Sequence, residues 1–244
     1  MSRFRRRKIN FKAAFVALLL IVSGAVTVNY NNSEPKQEQV IQSGHNESVS
    51  PDDIPAYDGK PYVAINNNQP EFSEELFGTD AFESYAELDD KGRCGTAIAN
   101  IGTELMPTEK RGSISSVKPT GWQSVQYDFV DGKSLYNRCH LIGFQLTAEN
   151  ANWKNLITGT RYMNVEGMLP FENMVCDYIK ETDNHVLYRV TPVFEGDNLV
   201  ASGVIMEAES VEDRGEGIMF CVYVYNVQPG VVIDYATGNS SAAK

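Results

Sequence analysis

The chain has 244 residues and a formal net charge of −11 at neutral pH. Residues 59 to about 238 have the length and composition of one ordinary domain, and no internal repeat recurs at a fixed period, which leaves out repeat arrays. The acidic balance speaks against a protein that coats nucleic acid with its whole surface, because such proteins are basic.

Arg3, Arg5, Arg6, Arg7, Lys8 and Lys12 precede an apolar run from Ala13 to Val28. A basic segment followed by an apolar one is an export signal. The run is 16 residues, long for a cleaved signal and short for a membrane span of about 20. Ser23-Gly24-Ala25 is an imperfect cleavage site. Residues 1–28 are therefore expected to be a signal peptide or a membrane anchor with its basic end in the cytoplasm. Residues 29–58, rich in Asn, Ser, Gln, Glu and Pro and containing His45, cannot bury a core and are expected to be a flexible tether. Residues 59–244 form the predicted domain.

Strand-like runs at Tyr62 to Ile65, Cys94 to Ile101, His185 to Phe194, Leu199 to Glu207 and Ile218 to Val227 predict a sheet. Gln123 to Val130 alternates, with Val125, Tyr127 and Phe129 on one face, which predicts a half-buried strand. Asp131-Gly132 is a hairpin turn signal, and Lys133 to Tyr136 begins the predicted return strand, with His140 just beyond it. A polar loop follows from Thr147 to Lys154. Phe171, Met174, Val175, Tyr178 and Ile179 stand at helical spacing, and Pro170 suits a first turn. His185, at the start of a predicted strand, is expected at the surface.

The informative cluster is Asn137-Arg138-Cys139-His140, with Asn155 and Asn164 downstream, all within 28 residues. An arginine can neutralise a phosphodiester, a histidine can take a proton from water near neutral pH, and an amide oxygen can hold a hard metal ion. Those are the parts needed to cut a nucleic-acid backbone. Local charge agrees. From Lys110 to Arg161 there are seven basic residues and three acidic ones, inside a shell whose balance without the N-terminal basic residues is −17. With no evident recognition helix, such a strip is expected to meet phosphates and to bind weakly and salt-sensitively.

Cys94, Cys139, Cys176 and Cys221 permit disulfides in an exported chain, with three possible pairings, or buried free thiols. No C-x₂₋₄-C spacing suggests a zinc site. Cys139 beside His140 suggests a cysteine nucleophile, but neighbours on an extended chain point to opposite faces.

The stretch Tyr136 to Leu146, followed by Asn155 to Asn164, resembles the DNA/RNA non-specific endonuclease family, whose members are ββα-metal (His-Me finger) nucleases. These include secreted bacterial nucleases and the DNA-uptake nucleases of Gram-positive bacteria. The resemblance spans roughly Cys94 to Tyr235 and is most specific from Lys118 to Asn173. The family signature reads Asp-Arg-Gly-His; here Asn137 and Cys139 replace the Asp and the Gly. The resemblance implies an α+β fold with a central antiparallel sheet, packed helices and a ββα-metal finger. It implies His140 as general base, Arg138 as a phosphate contact, Asn155 as a supporting residue, Asn164 as the direct ligand of Mg²⁺, and Glu172 as holder of a metal-bound water. Mn²⁺ would substitute. Asn164 and Glu172 are eight residues apart, about two helical turns, although Pro170 lies between them.

Each position has a plainer alternative: a helix cap for Asn164, a turn for Asn155, an ion pair for Arg138, and a dipole-favoured first-turn residue for Glu172. The resulting expectation is an extracytoplasmic Mg²⁺-dependent endonuclease, secreted or anchored to the outer face of the plasma membrane, acting on DNA, with RNA as a second substrate. No protein partner is implied. The alternative is a membrane-anchored extracellular nucleic-acid receptor, a degenerate nuclease used in DNA uptake. A purely structural domain leaves His140 and Asn164 unexplained.

Overall fold

The computed structural model describes residues 54–244. The expected export segment and residues 29–53 of the expected tether lie outside the described residues. Ile54 and Tyr57, within the end of that tether, pack on the domain. The Tyr57 ring meets Tyr225 and Tyr162 edge-on, and the Tyr225 hydroxyl donates to the Pro55 carbonyl at 2.9 Å. Among the described residues no helix is long and apolar enough to cross a membrane.

The core element is a six-stranded antiparallel sheet. Its strands are β1 (Tyr62–Ala64), β2 (Phe82–Tyr85), β3 (Ala97–Ile101), β6 (Val186–Val193), β7 (Gly203–Ser210) and β8 (Met219–Tyr225), in the order β1-β8-β7-β6-β3-β2. Five of these match the predicted runs, because Val, Ile and Tyr in short alternating stretches favour a pleated, half-buried surface. One face carries Ala97, Ala99, Tyr188, Val190, Val204, Met206, Phe220 and Val222, all buried in the main core. The other face carries a smaller cluster around Ile65, Cys221, Tyr223 and Tyr225.

On the main-core face sits a separate two-stranded unit, β4 (Tyr136–His140) paired antiparallel with β5 (Leu156–Thr160). Between them lies α1, the short helix Phe144–Thr147. After β5 the chain turns helical at Arg161, passes through a π-helical segment Met163–Met168, and continues as α2 (Leu169–Thr182). Strand, strand and helix make the ββα finger, so the predicted α+β class with a central antiparallel sheet holds. A final hairpin, β9 (Val231–Ile233) and β10 (Ser240–Ala242), completes the chain.

The finger is fastened to the sheet by buried polar contacts. Fully buried Asn226, just past β8, accepts from the Thr160 N–H at 2.9 Å and donates to the carbonyls of Thr158 and Ala201 at 3.0 and 2.9 Å. The Tyr136 hydroxyl donates to the Gly238 carbonyl at 2.9 Å. Gly167 in the π segment passes so close to Val224 of β8 that a Cβ there would run into the valine.

The predicted hairpin around Asp131-Gly132 is a different object. The turn exists, with φ of 67° and 64° at Gly132 and Lys133. The flanking segments, however, share only one bridge, Gln126 to Ser134. The Val130 N–H bonds the Tyr127 carbonyl and the Lys133 N–H bonds the Val130 carbonyl, at 3.1 and 2.8 Å. These consecutive turns curl the chain before a ladder can propagate. Val130 takes the inward position, while Phe129 is left 59% exposed. The true partner of the His140 strand is β5, and His140 ends that strand rather than following it. His185 is at the surface as expected, partly exposed, with its ring bracketed by Glu212 at 2.7 Å and Glu104 at 3.2 Å.

Candidate active site

Four of the five β4 residues, Tyr136, Asn137, Arg138 and His140, border a cavity of about 750 Å³, whose wall also includes Arg111, Trp122, Arg161, Asn164 and Glu172. Cys139 points into the core with no exposed surface. Its sulfur lies over Gly159 of β5, where a Cβ would collide with it. A residue larger than glycine in the signature thus has its space supplied from across the ladder. Burial pushes the Cys139 thiol far up, so it is no nucleophile. All four cysteines are buried free thiols.

His140 is 7% exposed. Its Nε2 lies 2.7 Å from the Asn150 carbonyl oxygen. A carbonyl can only accept, so Nε2 carries the hydrogen and Nδ1 keeps the lone pair. Arg111 Nη2 stands 3.5 Å from Nδ1. Burial lowers the His140 pKa to about 4; the Asn150 contact opposes this and the Arg111 charge adds to it. The ring is therefore neutral at physiological pH, and its basic position is the Nδ1 lone pair, which accepts from the Arg111 N–H at 3.5 Å.

Arg138 is held flat. Nε donates to the Val117 carbonyl, Nη2 to the Ser115 carbonyl at 3.2 Å, and the guanidinium carbon lies 4.0 Å from the centre of the Trp122 ring. Its remaining N–H groups are not used by these bonds. Arg161 also borders the cavity, paired at 2.8 Å with the exposed Asp131.

Asn155 is placed differently. It is fully buried and does not border the cavity. Its Oδ1 accepts from the Ile142 N–H at 2.9 Å, and its Nδ2 donates to the Ile142 carbonyl at 3.0 Å. Both ends of the amide are spent on one residue two places beyond His140, so Asn155 clamps the exit of β4.

Asn164 lies in the π segment. At α-helical spacing, eight residues overshoot two turns by about 80°. The wider π turn takes up that surplus, so Asn164 and Glu172 border one cavity. Pro170 sits in the first turn of α2, just after the π segment, and the chain stays helical through it. The Asn164 amide makes no hydrogen bond among the described residues, and neither does the Glu172 carboxylate. Burial raises the Glu172 pKa to about 7, with Arg111 pulling the other way. Among the described residues no three His, Cys, Asp or Glu side chains gather as a metal site. An amide oxygen and a carboxylate, both unpartnered beside a polar cavity, fit a hard cation that keeps most of its waters.

Arg111, Trp122 and the Asn150 carbonyl are site components with no individual signal in the sequence. Arg111 belongs to the basic strip, but nothing in Lys110-Arg111-Gly112 marks it above its neighbours. A backbone carbonyl leaves no trace in residue type.

Among solved structures, NucA from Streptococcus agalactiae with magnesium ion bound is similar at 25% identity and a TM-score of 0.65, over 74% of this chain and 86% of that one. NucA without metal gives 22% and 0.68, over 86% and 98%. The Sda1 nuclease with bound zinc ion gives 25% and 0.61, over 75% and 97%. No curated protein matches in sequence. A family model described as DNA/RNA non-specific endonuclease matches residues 74–212. That match spans more than half of the chain and takes in both finger strands, the π segment and α2, so the protein belongs to the DNA/RNA non-specific endonuclease family and is a metal-dependent nuclease.

Proposed function

We propose that this nuclease works outside the cytoplasm as a Mg²⁺-dependent, sugar-non-specific endonuclease that hydrolyses DNA and, as a second substrate, RNA. The observation that carries this reading is the fixed tautomer of His140. A neutral, buried imidazole whose Nε2–H is tied to the Asn150 carbonyl presents Nδ1 to the cavity side as a base.

Asn164 would hold the cation through its amide oxygen and Glu172 through one of the ion's waters. Bound there, Mg²⁺ would neutralise charge on the scissile phosphate and stabilise the leaving oxygen. The donors are hard oxygens, which favours Mg²⁺ or Mn²⁺ over a soft-ligand ion, although the related Sda1 structure contains zinc. His140 Nδ1 takes the proton of the attacking water. Arg138, held flat on Trp122, offers its free N–H groups to a phosphate oxygen. Arg111 is near enough to Nδ1 to meet a phosphate beside that water. A phosphate there offsets the charge that depresses His140, so the base strengthens as substrate arrives. Asn155 keeps the β4 exit in place and does not touch the reacting atoms.

A degenerate receptor would need neither a fixed histidine tautomer nor an unpartnered amide beside a carboxylate. The export reading rests on the basic and apolar segments of residues 1–28, and leaves secretion and anchoring at the outer face of the plasma membrane as its two forms. The test is digestion of supercoiled plasmid and of RNA by the purified protein, with Mg²⁺ and with EDTA, beside fractionation of cells with an antibody to the domain. Dispersed cleavage only with the ion, by protein found outside the cytoplasm, is expected. Cleavage undiminished in EDTA, or protein confined to the cytosol, would sink the corresponding part.

A further inference from the structure

The loop between α1 and β5 leaves Trp153 51% exposed, although the backbone beneath it is tied down. The Cys94 thiol donates to the carbonyls of Trp153 and Leu156, both at 3.3 Å. The Asn152 side chain accepts from the Lys154 N–H at 2.9 Å, and the Asn155 N–H bonds the Asn152 carbonyl at 3.1 Å. Trp153 borders a second cavity, of about 230 Å³, whose walls include Leu88, Pro119 and Leu156. Lys118 lines the same cavity; it is exposed, and its ammonium has no ion pair among the described residues.

This cavity adjoins the active site. Leu156 is the ladder partner of His140, and such partners stand about 5 Å apart on the same face. One loop divides the two cavities. Its Ser115 and Val117 carbonyls hold Arg138, while its Lys118 and Pro119 line the second cavity. Asn150, whose carbonyl fixes His140, stands three residues before Trp153. A further hollow beside Trp153 carries Glu87 and Glu149, with Lys154 spent on Glu87, and repels phosphate. A substrate backbone is thereby directed to the Lys118 side.

An apolar slot with an exposed indole and an unpaired cation, next to a nuclease centre, matches a base with its phosphate. Every base has a π-face, so stacking on an aromatic ring tolerates any sequence. Within a duplex those faces are already covered by neighbouring bases.

We propose that Trp153 and Lys118 form a subsite for an unpaired nucleobase and its phosphate, beside the nucleotide being cut, which makes the enzyme favour single-stranded stretches. The inference rests on the reading of the His140 cavity as the place of cleavage.

The test is steady-state cleavage, with Mg²⁺, of three oligonucleotides of equal length: a single strand, its duplex, and an abasic strand that keeps the phosphates and lacks the bases. Trp153→Ala should raise KM for the single strand about tenfold relative to the other two substrates. Trp153→Phe, which keeps a stacking ring, should recover most of that loss. Lys118→Ala should weaken the base-bearing and the abasic strand alike, because it meets phosphate. Wild type should show a lower KM for the base-bearing single strand than for the abasic one, and equal values would overturn the inference without any variant. An unchanged KM for the single strand in Trp153→Ala would overturn it too, as would an equal rise for all three substrates, the mark of a general surface effect. Wild-type protein that cuts none of the three would instead overturn the reading of the His140 cavity.

Discussion

The Nε2 of His140 lies 2.7 Å from the carbonyl oxygen of Asn150, ten residues further along the chain, and this contact decides which ring nitrogen is free. His140→Ala should lower cleavage by about 10²–10⁴-fold, the usual loss for a general base. Imidazole added to His140→Gly should restore part of it. Because the free enzyme holds His140 near pKa 4, the acid limb of kcat/KM should fall well below pH 6.5, and the limb of kcat should lie higher, once phosphate offsets Arg111. Activity of His140→Ala within threefold of wild type would remove the assignment.

Asn155 is expected to behave as a brace. Asn155→Ala leaves the Ile142 N–H and carbonyl buried without partners, at a cost of about 1–3 kcal/mol each. Its melting temperature should drop by more than that of His140→Ala, with the rate loss following the loss of structure. An inactive Asn155→Ala with wild-type thermal stability would instead give this residue a direct part in the chemistry.

Asn164→Ala should raise the Mg²⁺ concentration needed for half-maximal rate and lower the rate at saturation. The amide oxygen that fits the ion would be gone, while the π segment, held by backbone bonds and by Gly167 against β8, would remain. A Mg²⁺ titration of both proteins reads this. Superimposable curves would place the ion elsewhere.

Much of the scaffold can be read from the sequence because it depends on local periodicity. β6, β7, β8 and α2 follow from alternation and from helical spacing. The pairing of Tyr136–His140 with Leu156–Thr160 cannot be read this way, since choice of partner is tertiary; Asp131-Gly132 invites a nearer one. The π segment is set by tertiary packing, with Gly167 against Val224 and Asn164 at the cavity. His140 and Asn164 are legible through a motif. Arg111 is not, because a loop far from the motif carries it in. Asn155 shows both sides: its position is legible, and its double bond to Ile142 is not.

Two cavity arginines, Arg111 and Arg138, should dominate substrate binding through phosphates, with Arg161, paired with Asp131, adding less. KM for a long duplex should rise steeply with salt, as counterion release requires, and cuts should spread along a plasmid because phosphates carry no base code. Lys133 and Lys154, already paired with Asp128 and Glu87, should contribute little when changed to Ala. Reproducible discrete fragments from a plasmid would reveal base readout.

Glu172 yields a prediction that separates stability from activity. Burial raises its pKa from the ordinary 4.5 to about 7. The folded state therefore holds this proton more tightly than the unfolded state does. As pH rises from 4.5 to 7 the folded protein loses stability on account of this group, and above 7 the penalty is fully present. His140 works in the opposite sense: its folded pKa of about 4 against 6.5 means that its contribution is present above pH 6.5 and is lost as pH falls toward 4. Comparing wild type with Glu172→Gln cancels the histidine and isolates the carboxylate. In EDTA, Glu172→Gln should melt higher than wild type at pH 8 and no higher near pH 4, while its Mg²⁺-dependent cleavage is impaired. Adding Mg²⁺ at pH 8 should raise the melting temperature of wild type more than that of the variant, because a nearby cation compensates a charge that only wild type carries. A metal-free Glu172→Gln that melts below wild type at pH 8 would mean that the carboxylate has a partner and is not strained, and the case for Glu172 at the metal site would fail.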